Sequence, residues 1–184
     1  VAPLGVAHQT IEEAKKLSIE IEFVARPNGA AIQITNYEKL RHFVGTEYRA
    51  IVLDESSILK SIDGKTRTML LKEFVTIPNR LCCTATPAPN DQAELANHAE
   101  FVGIMRRVEM LATYFVHDDQ GWRLKRHAVE AFWRWLASWA VFVRKPSDLN
   151  YDDGDFVLPP ISISDAVVNT DWRPEGQLFA DSSK

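Results

Sequence analysis

The sequence has 184 residues, a formal net charge of −4 and 46% hydrophobic residues. That length fits one domain of ordinary size, or one domain with a short extension. The hydrophobic content, together with 25% charged residues, is typical of globular proteins and excludes a chain that is disordered throughout. The negative charge excludes a general attraction to nucleic acid, although a local basic patch remains compatible with it.

Cysteine usage and hydropathy point to a compartment. Cys82 and Cys83 are adjacent, so on a strand they lie on opposite faces and are not expected to pair with each other. The sequence has no Cys/His spacing typical of zinc sites, and no apolar run of the roughly 18 residues that span a bilayer. We therefore expect a reducing, cytoplasmic setting without membrane contact. The apolar run that begins at Val1 predicts that the sequence opens inside a domain.

The first part of the chain predicts short elements separated by turn residues. Thr10-x-x-Glu13 has the spacing of a capping box at the start of a helix. In chain order, the patterns predict a buried strand at 1–7, a helix at 10–17, a strand at 19–25, a turn at 26–29, a strand at 31–35 and a short helix from Tyr37.

The middle of the chain alternates strands and helices more regularly. Residues 50–53 form a continuous apolar run, which predicts a strand buried on both faces. A helix at 66–75, a strand at 80–84 and a helix at 91–102 follow. This alternation predicts parallel βαβ units, in which the polar residues after the carboxyl ends of the strands form the site.

The last part of the chain has a different character. Residues 124–143 are dense in aromatic residues at helical spacing, which favours a long helix. Phe132, Trp135 and Trp139 recur as residues on a core-facing side do, although aromatic and basic residues together can also stack on bases. An acidic loop at 148–155, a strand-like alternation at 161–168 and a tail from Asn169 complete the chain.

Two carboxylates follow the apolar strand directly. Asp54 and Glu55 would be costly to bury without partners, which favours an open sheet edge that faces a ligand. An Asp after a hydrophobic strand holds Mg²⁺ in many nucleotide triphosphatases, and a neighbouring carboxylate can orient or deprotonate water. The alternative is that both residues merely cap the next helix.

Four segments in order resemble the motifs of superfamily-two helicases. They are Val1-Ala-Pro-Leu4 for motif Ia, Ile34-Thr-Asn-Tyr-Glu38 for motif Ib, Ala50-Ile-Val-Leu-Asp-Glu-Ser-Ser57 for motif II and Leu81-Cys-Cys-Thr-Ala-Thr-Pro87 for motif III. Ser-Ser replaces the Ala-His or Ala-Asp that usually ends motif II. The resemblance extends over roughly residues 1–168 and implies the first RecA-like lobe of a helicase.

Further residues are similar to the Swi/Snf-like branch of that superfamily. They are Ile58-Leu-Lys60 and Gly64-Lys65-Thr66 after the acidic motif, Asn90 and Glu94-Leu95 after motif III, and Arg144-Lys145, Asp148 and Leu158-Pro159 near the end. The combination of Asp-Glu-Ser-Ser with Cys-Cys-Thr-Ala-Thr-Pro resembles phage and prophage-associated DNA helicases of the DEAD/DEAH type.

The phosphate-binding loop of this family, Gly-x-x-x-x-Gly-Lys-Ser/Thr, is not found in the 184 residues. Gly64-Lys65-Thr66 imitates its end, but the earlier glycine would fall at Leu59, so we expect these residues to begin the helix after motif II. The resemblance places the true loop before Val1. We expect the isolated chain neither to bind ATP tightly nor to hydrolyse it, because that loop holds the phosphates.

The resemblance implies an α/β fold, a RecA-like P-loop NTPase lobe with a parallel sheet, helices on both faces and an α-helical extension. It implies a partial lobe at 1–105 carrying motifs Ia to III, a helical protrusion at 106–146, and a linker at 147–184 toward a second RecA-like lobe of the same parent chain. The implied cofactors are ATP and Mg²⁺ in the intact parent, and the implied partner is DNA, in double-stranded form.

The same resemblance assigns roles to single residues. Asp54 would hold Mg²⁺ through water, and Glu55 would position the hydrolytic water, so both would belong to the nucleotide site. Thr84 and Thr86 would couple that site to DNA. Thr35 and Asn36 would lie near the DNA backbone.

Other interpretations of the sequence remain open. The chain could be a module that binds nucleic acid or a partner without hydrolysis, or a metal-dependent nuclease built on Asp54 and Glu55, which would need further carboxylates. His117-Asp118-Asp119 could hold a metal, although such clusters are usually solvated loops. A histidine on a helix face, as predicted for His98, is more often structural.

Overall fold

The computed structural model describes residues 1–60, 64–119, 121–157 and 159–164, apart from the side chain of Asp155. The chain divides into two compact units, Val1–Ala140 and Val141–Lys184. The described helices and strands of the first unit are α1 (Leu4–Lys16), β1 (Glu22–Phe23), β2 (Gln33–Ile34), β3 (Ala50–Asp54), α2 (Lys65–Glu73), β4 (Asn79–Cys83), α3 (Leu95–Val102), α4 (Arg107–Tyr114), β5 (Phe115–Asp118), β6 (Gly121–Leu124) and α5 (Val129–Ala137). Short 3₁₀ helices at Leu40–Phe43, Ser56–Lys60, Gln92–Glu94 and Arg126–Ala128 connect them.

Helix α1 begins earlier than the sequence predicts. Pro3, with φ −56° and ψ 146°, precedes its first residue, and proline is well suited to a helix start because it has no N–H to satisfy. The predicted strand over residues 4–7 is therefore wrong. Thr10 lies inside the helix, where its hydroxyl donates to the carbonyl of Val6 at 3.1 Å, so the predicted capping box is also wrong.

Two pairs of parallel strands organise the first unit. Strand β1 pairs with β2 over two residues, and β3 pairs with β4 from Ala50↔Asn79 to Asp54↔Cys83. Between these pairs, the backbone of Val1 accepts from the N–H of Asp54 at 2.8 Å, and the N–H of Ala2 donates to the carbonyl of Thr35 at 3.0 Å. The parallel strands that the sequence predicts are present, although β1 and β2 are each only two residues long.

Burial along β3 alternates. Ile51 and Leu53 are buried, whereas Val52 is 45% exposed. On the paired strand, Leu81 is 54% exposed. The prediction that the apolar run 50–53 is buried on both faces is therefore wrong for the described residues, because one face packs on the core and the other stays open.

Two hydrophobic clusters make up most of the interior. Core A packs beneath β3 and against α2 and the Leu40–Phe43 helix, while core B joins α3, α4, β5 and α5. The buried members of core A are Val24, Tyr37, Leu40, Phe43, Ile51, Leu53, Leu59, Leu70, Phe74, Ile77 and Phe101. Those of core B are Ala93, Leu95, Ala96, Ala99, Met110, Leu111, Phe115 and Phe132.

The aromatic region does not form one long helix. Strand β6 of the antiparallel hairpin β5–β6 ends at Leu124, the 3₁₀ helix Arg126–Ala128 follows, and α5 covers only Val129–Ala137. Phe132 is fully buried, and the ring of Trp135 packs on it at 5.9 Å and on that of Trp139 at 5.3 Å. The interpretation of these three aromatic residues as core is confirmed.

The second unit is described only up to residue 164. It contains the 3₁₀ helices Pro146–Leu149 and Gly154–Phe156, and Lys145 forms an ion pair with Asp153 at 3.1 Å. Residues 161–164 do not form the predicted strand, and the rest of it, 165–168, lies outside the described residues. None of the helices found in the described ranges is long and apolar enough to cross a membrane.

Arg80 connects the segment between α2 and β4 with the end of α3. Its guanidinium donates to the carbonyl of Ile77 at 2.9 Å and to that of Val102 at 3.2 Å, and it also contacts the carbonyl of Val75. Gly103 follows α3 with φ +85°, a conformation that residues with a Cβ rarely adopt. A Cβ at Gly103 would collide with this guanidinium.

We predict that Gly103→Ala lowers the free energy of unfolding by about 1–3 kcal/mol, because it strains the backbone and displaces Arg80 from its carbonyl partners. Chemical denaturation monitored by circular dichroism measures this change. Gly5→Ala is the matched control: Gly5 lies in helix α1 with open space around it, so alanine there should be neutral or slightly stabilising. Equal stabilities of the two variants would contradict the argument.

Candidate functional site

The polar ends of two parallel strands meet at one edge of the first unit. Asp54 is the last residue of β3 and lies opposite Cys83, the last residue of β4. Glu55 and Thr84 follow these strands directly. The prediction that the acidic pair and the threonine segment lie side by side at strand ends is confirmed, because the carboxyl ends of parallel strands share one edge.

The acidic turn is held in an uncommon backbone conformation. Glu55 has φ +51°, in the left-handed region that few non-glycine residues occupy. Its N–H donates to Oδ1 of Asp54 at 3.1 Å, and the hydroxyl of Tyr37 donates to the carbonyl of Asp54 at 2.6 Å. Strain at a turn of this kind often accompanies a functional site, and here several contacts keep both carboxylates at the open edge.

Thr84 connects the acidic turn to the segment after β4. Its hydroxyl donates to Oε2 of Glu55 at 3.4 Å, and Oγ1 of Thr84 in turn accepts from the N–H of Thr86 at 3.1 Å. A displacement of the acidic turn would therefore also displace the segment after β4, and the reverse holds as well. The side chain of Glu55 is thus directed to the neighbouring strand, which argues against helix capping as its role.

A buried polar cluster, unforeseen in the sequence, lies behind the turn. Ser56 is fully buried, and its hydroxyl lies 3.2 Å from Nε2 of His98 on α3. Burial raises the pKa of the Cys82 thiol to about 12, against the opposing hydrogen bond from Ser56. Next to His98, Asn97 donates to the carbonyl of Lys60 at 3.4 Å. Ser56, His98 and Cys82 are hereafter the Ser56 cluster.

The Ser56 cluster links α3 to the acidic turn. Burial lowers the pKa of His98 below its ordinary value, while hydrogen bonds with the backbone of Glu94 and Ser56 raise it. A neutral imidazole can share a hydrogen bond with a hydroxyl in either direction. The structural role expected for His98 gains a specific partner, since it fixes the residue next to Glu55.

Thr35 and Asn36 lie away from the surface. Each is only 4% exposed, and Oδ1 of Asn36 accepts from the N–H of Lys39 at 3.1 Å. Oγ1 of Thr35 has no hydrogen-bond partner among the described residues. Their side chains therefore shape the backbone near β2 in this arrangement, and direct contact with a large ligand has no support here.

The remaining candidate segments have local roles. Gly64 is the N-cap of α2, which begins at Lys65, so the prediction that Gly64-Lys65-Thr66 starts this helix is confirmed. The imidazole of His117 packs edge-on against the ring of Trp122 at 4.8 Å, and Asp118 forms an ion pair with Arg123 at 2.5 Å. Within the described ranges, no three His, Cys, Asp or Glu side chains cluster as a metal site.

The donor set at the acidic turn nevertheless suits one kind of cation. Mg²⁺ in nucleotide sites is held by one or two carboxylates, with waters and phosphates supplying the other ligands. Asp54 and Glu55 offer such a pair at an open edge, without the enclosed oxygen cage that calcium prefers. The residues present therefore fit a magnesium ion that is held together with a nucleotide.

Comparison with protein families identifies the chain. The model of the SNF2-related domain matches residues 6–110, which is more than half of the sequence. The chain belongs to the SNF2-related domain family. The matched range contains β1 to β4 and both segments of the candidate site. No curated protein and no solved structure matches the chain.

Family membership supports part of the sequence interpretation. The SNF2-related domain implies a RecA-like fold and belongs to a family of ATP-dependent helicases and translocases. Its helicase domains generally use ATP and Mg²⁺ and typically engage DNA. The resemblance to Swi/Snf-like helicases is thereby confirmed at the level of the family.

We predict that acidification destabilises the chain partly through His98. Because the pKa of His98 is lower in the folded than in the unfolded chain, the unfolded chain takes up the proton first as the pH falls below about 6.5. The contribution of the neutral imidazole is thus complete above that pH and is lost as the pH falls through the folded pKa. His98→Leu should flatten this part of the stability-against-pH curve, measured by urea denaturation between about pH 5 and 7.5.

Ser56→Ala is the matched control for this experiment, since it removes the hydroxyl but keeps the imidazole. It should lower the free energy of unfolding by about 1 kcal/mol while the dependence on pH persists. Parallel stability curves for the original chain and His98→Leu would show that His98 makes no such contribution.

Proposed function

We propose that the chain is part of the first motor lobe of an ATP-dependent DNA translocase or helicase, in which hydrolysis of Mg-ATP is coupled to movement on DNA. The observation that carries the proposal is the edge formed by β3 and β4. There the carboxylate of Glu55 and the hydroxyl of Thr84 are hydrogen-bonded across two parallel strands. Family membership supplies the class of reaction.

The roles of the site residues follow from their chemistry. Asp54 would hold Mg²⁺ through bound water, and the positive charge of the ion would offset the negative charge of the phosphates. Glu55 would accept a hydrogen bond from the attacking water and orient it or take its proton. The hydroxyl of Thr84 can hold the unprotonated carboxylate of Glu55 in position, and Thr86 would carry a shift of this pair into the following loop.

The proposed domain organisation follows the same family pattern. In this proposal residues 1–105 are a partial RecA-like lobe whose β3–β4 pair leaves one face open, residues 106–146 are its protrusion, and residues 147–184 lead toward a second lobe. A second lobe commonly supplies the arginine that stabilises the transition state, an effect worth about 10³–10⁵ in rate. In this proposal the motor acts in the cytoplasm, as in phage-associated helicases.

Double-stranded DNA is the proposed substrate track. Thr86 lies on the segment that would report the state of the nucleotide site to DNA. Thr35 and Asn36 would contribute by setting the backbone near β2 rather than by direct contact, because both side chains are buried. This is how the burial of these residues modifies their expected role.

A module that binds nucleic acid or a partner without hydrolysis is the alternative. Its discriminating property is that Glu55 would be dispensable, since binding alone needs no base for water. The nuclease hypothesis has weaker support, because no third carboxylate joins Asp54 and Glu55 within the described ranges.

We predict that Glu55→Gln, in a longer protein that contains this chain and a phosphate-binding loop, lowers DNA-stimulated ATP hydrolysis at least about 100-fold. ATP binding should persist, because glutamine keeps the shape of the side chain and removes one negative charge. Phosphate release at saturating duplex DNA measures hydrolysis, and titration with a fluorescent ATP analogue measures binding.

Glu20→Gln is the matched control, since it makes the same chemical change at an exposed residue that lies outside the edge formed by β3 and β4. It should leave turnover unchanged. Unaltered turnover in Glu55→Gln would remove the role proposed for Glu55. An original protein that binds duplex DNA but never hydrolyses ATP would favour the binding module.

A further inference from the structure

The hydroxyl of Tyr37 reaches from the segment after β2 to the acidic turn. Tyr37 is only 8% exposed and belongs to core A. Its hydroxyl donates to the carbonyl of Asp54 at 2.6 Å, across 17 residues of sequence, which is a short bond for two oxygen atoms. This buried hydrogen bond fixes the backbone of the residue whose carboxylate is proposed to hold Mg²⁺.

The backbone of Tyr37 begins a tightly bonded segment. The carbonyl of Tyr37 accepts from the N–H of Leu40 at 3.3 Å, and both the carbonyl and Oδ1 of Asn36 accept from the N–H of Lys39 at 3.1 Å. The 3₁₀ helix that follows is anchored by Leu40 and Phe43, which are 2% and 4% exposed. A displacement of the surface residues in this segment therefore also displaces Tyr37 and its hydroxyl.

Basic side chains cluster on the outside of the same segment. Nζ of Lys39 lies 5.3 Å from the centre of the Phe23 ring. Desolvation lowers the pKa of His42, and the positive charges of three neighbouring cations lower it further. The imidazole and these cations therefore lie close together and are hereafter the basic patch: Arg26, Lys39, Arg41 and His42.

The charge of the basic patch is not neutralised by neighbouring acids. Among the described residues, no carboxylate lies at ion-pair distance from Arg26, Lys39 or Arg41. By contrast, Lys15 and Lys16 on α1 each pair with a glutamate at 2.7 Å. In a chain with a net charge of −4, such a local excess of positive charge fits an anionic polymer. Because helicase domains of this family typically engage DNA, the DNA phosphates are the anion that the patch suits.

We propose that Tyr37 is a positioning residue, which couples phosphate contact at the basic patch to the placement of Asp54. A DNA phosphate at the patch would offset the repulsion among its cations and fix the segment that begins at Tyr37. The hydroxyl of Tyr37 then carries this change to the carbonyl of Asp54. This contact is separate from the one that Thr84 makes with the acidic turn. The inference rests on the proposed function, since it concerns how DNA affects the hydrolysis of Mg-ATP.

The first arm of the test is Tyr37→Phe, in a longer protein that contains this chain and a phosphate-binding loop. The change removes the hydroxyl and keeps the ring in core A. We expect the ratio of ATP turnover at saturating duplex DNA to turnover without DNA to fall by about 2- to 30-fold. The affinity for DNA, measured by fluorescence anisotropy, should stay the same because Tyr37 is buried. Tyr114→Phe is the matched control, since it makes the same change at a ring that packs against core B, and it should preserve the ratio.

The link can also be measured without hydrolysis. Hydrogen exchange followed by mass spectrometry, with duplex DNA and without ATP, reports protection of the amides of residues 54–58. DNA should slow exchange of these amides in the original protein, because it fixes the segment bonded to Asp54. That protection should be lost in Tyr37→Phe and retained in Tyr114→Phe.

The second arm removes charge from the basic patch. Lys39→Gln combined with Arg41→Gln should weaken DNA binding and reduce the slope of log affinity against log salt concentration by about 2. Lys15→Gln with Lys16→Gln is the matched control, because these lysines already have glutamate partners, and the slope should persist. Joining the patch changes to Tyr37→Phe should lower the turnover ratio no further than the stronger of the two alone, since both act along one route.

An unchanged turnover ratio and retained protection in Tyr37→Phe would overturn the inference and leave the proposed function standing. So would effects that multiply when the two arms are joined, or a salt slope that the patch changes do not alter. An original protein that binds duplex DNA but never hydrolyses ATP would instead remove the proposed function. In that case the exchange experiment still decides whether Tyr37 connects the patch to Asp54.

Discussion

The parallel pairing of β3 with β4 is the constraint on which the candidate site depends. In the observed register Asp54 lies opposite Cys83, so Glu55 and Thr84 leave the two strands at the same level and can be hydrogen-bonded. A slip of one residue would turn the side chains of one strand to the other face. It would separate that carboxylate from that hydroxyl and remove Leu53 from core A. Packing of the core therefore fixes the chemistry at the edge.

The Ser56 cluster shows how the edge is connected to the rest of the first unit. A buried hydroxyl without a partner is costly, so Ser56 and His98 constrain each other's position. Helix α3 follows the threonine segment in the chain and also holds the residue next to Glu55. The acidic turn is thus in contact with the segment after β4 through Thr84 and with α3 through His98. A displacement of the chain after β4 could therefore move the turn through either contact.

Val1 connects the end of β3 with core A. Its backbone accepts from Asp54, while its side chain packs against core A. The packing of the first unit and the geometry of its candidate site therefore share one residue, because Val1 contacts both core A and the backbone of Asp54.

The sequence by itself determined the strand that ends at Asp54 and the strand that precedes Thr84, because apolar runs followed by polar residues are local patterns. It also indicated the helicase family, because the motifs are short runs of adjacent residues that can be recognised without the tertiary structure. Only the tertiary structure decided the start of α1, the one-sided burial of β3 and the burial of Thr35. The pairing of Ser56 with His98 was equally inaccessible, since it joins residues 42 positions apart. The physical reason is that these features depend on which distant segments pack together, and periodicity within one segment carries no information about them.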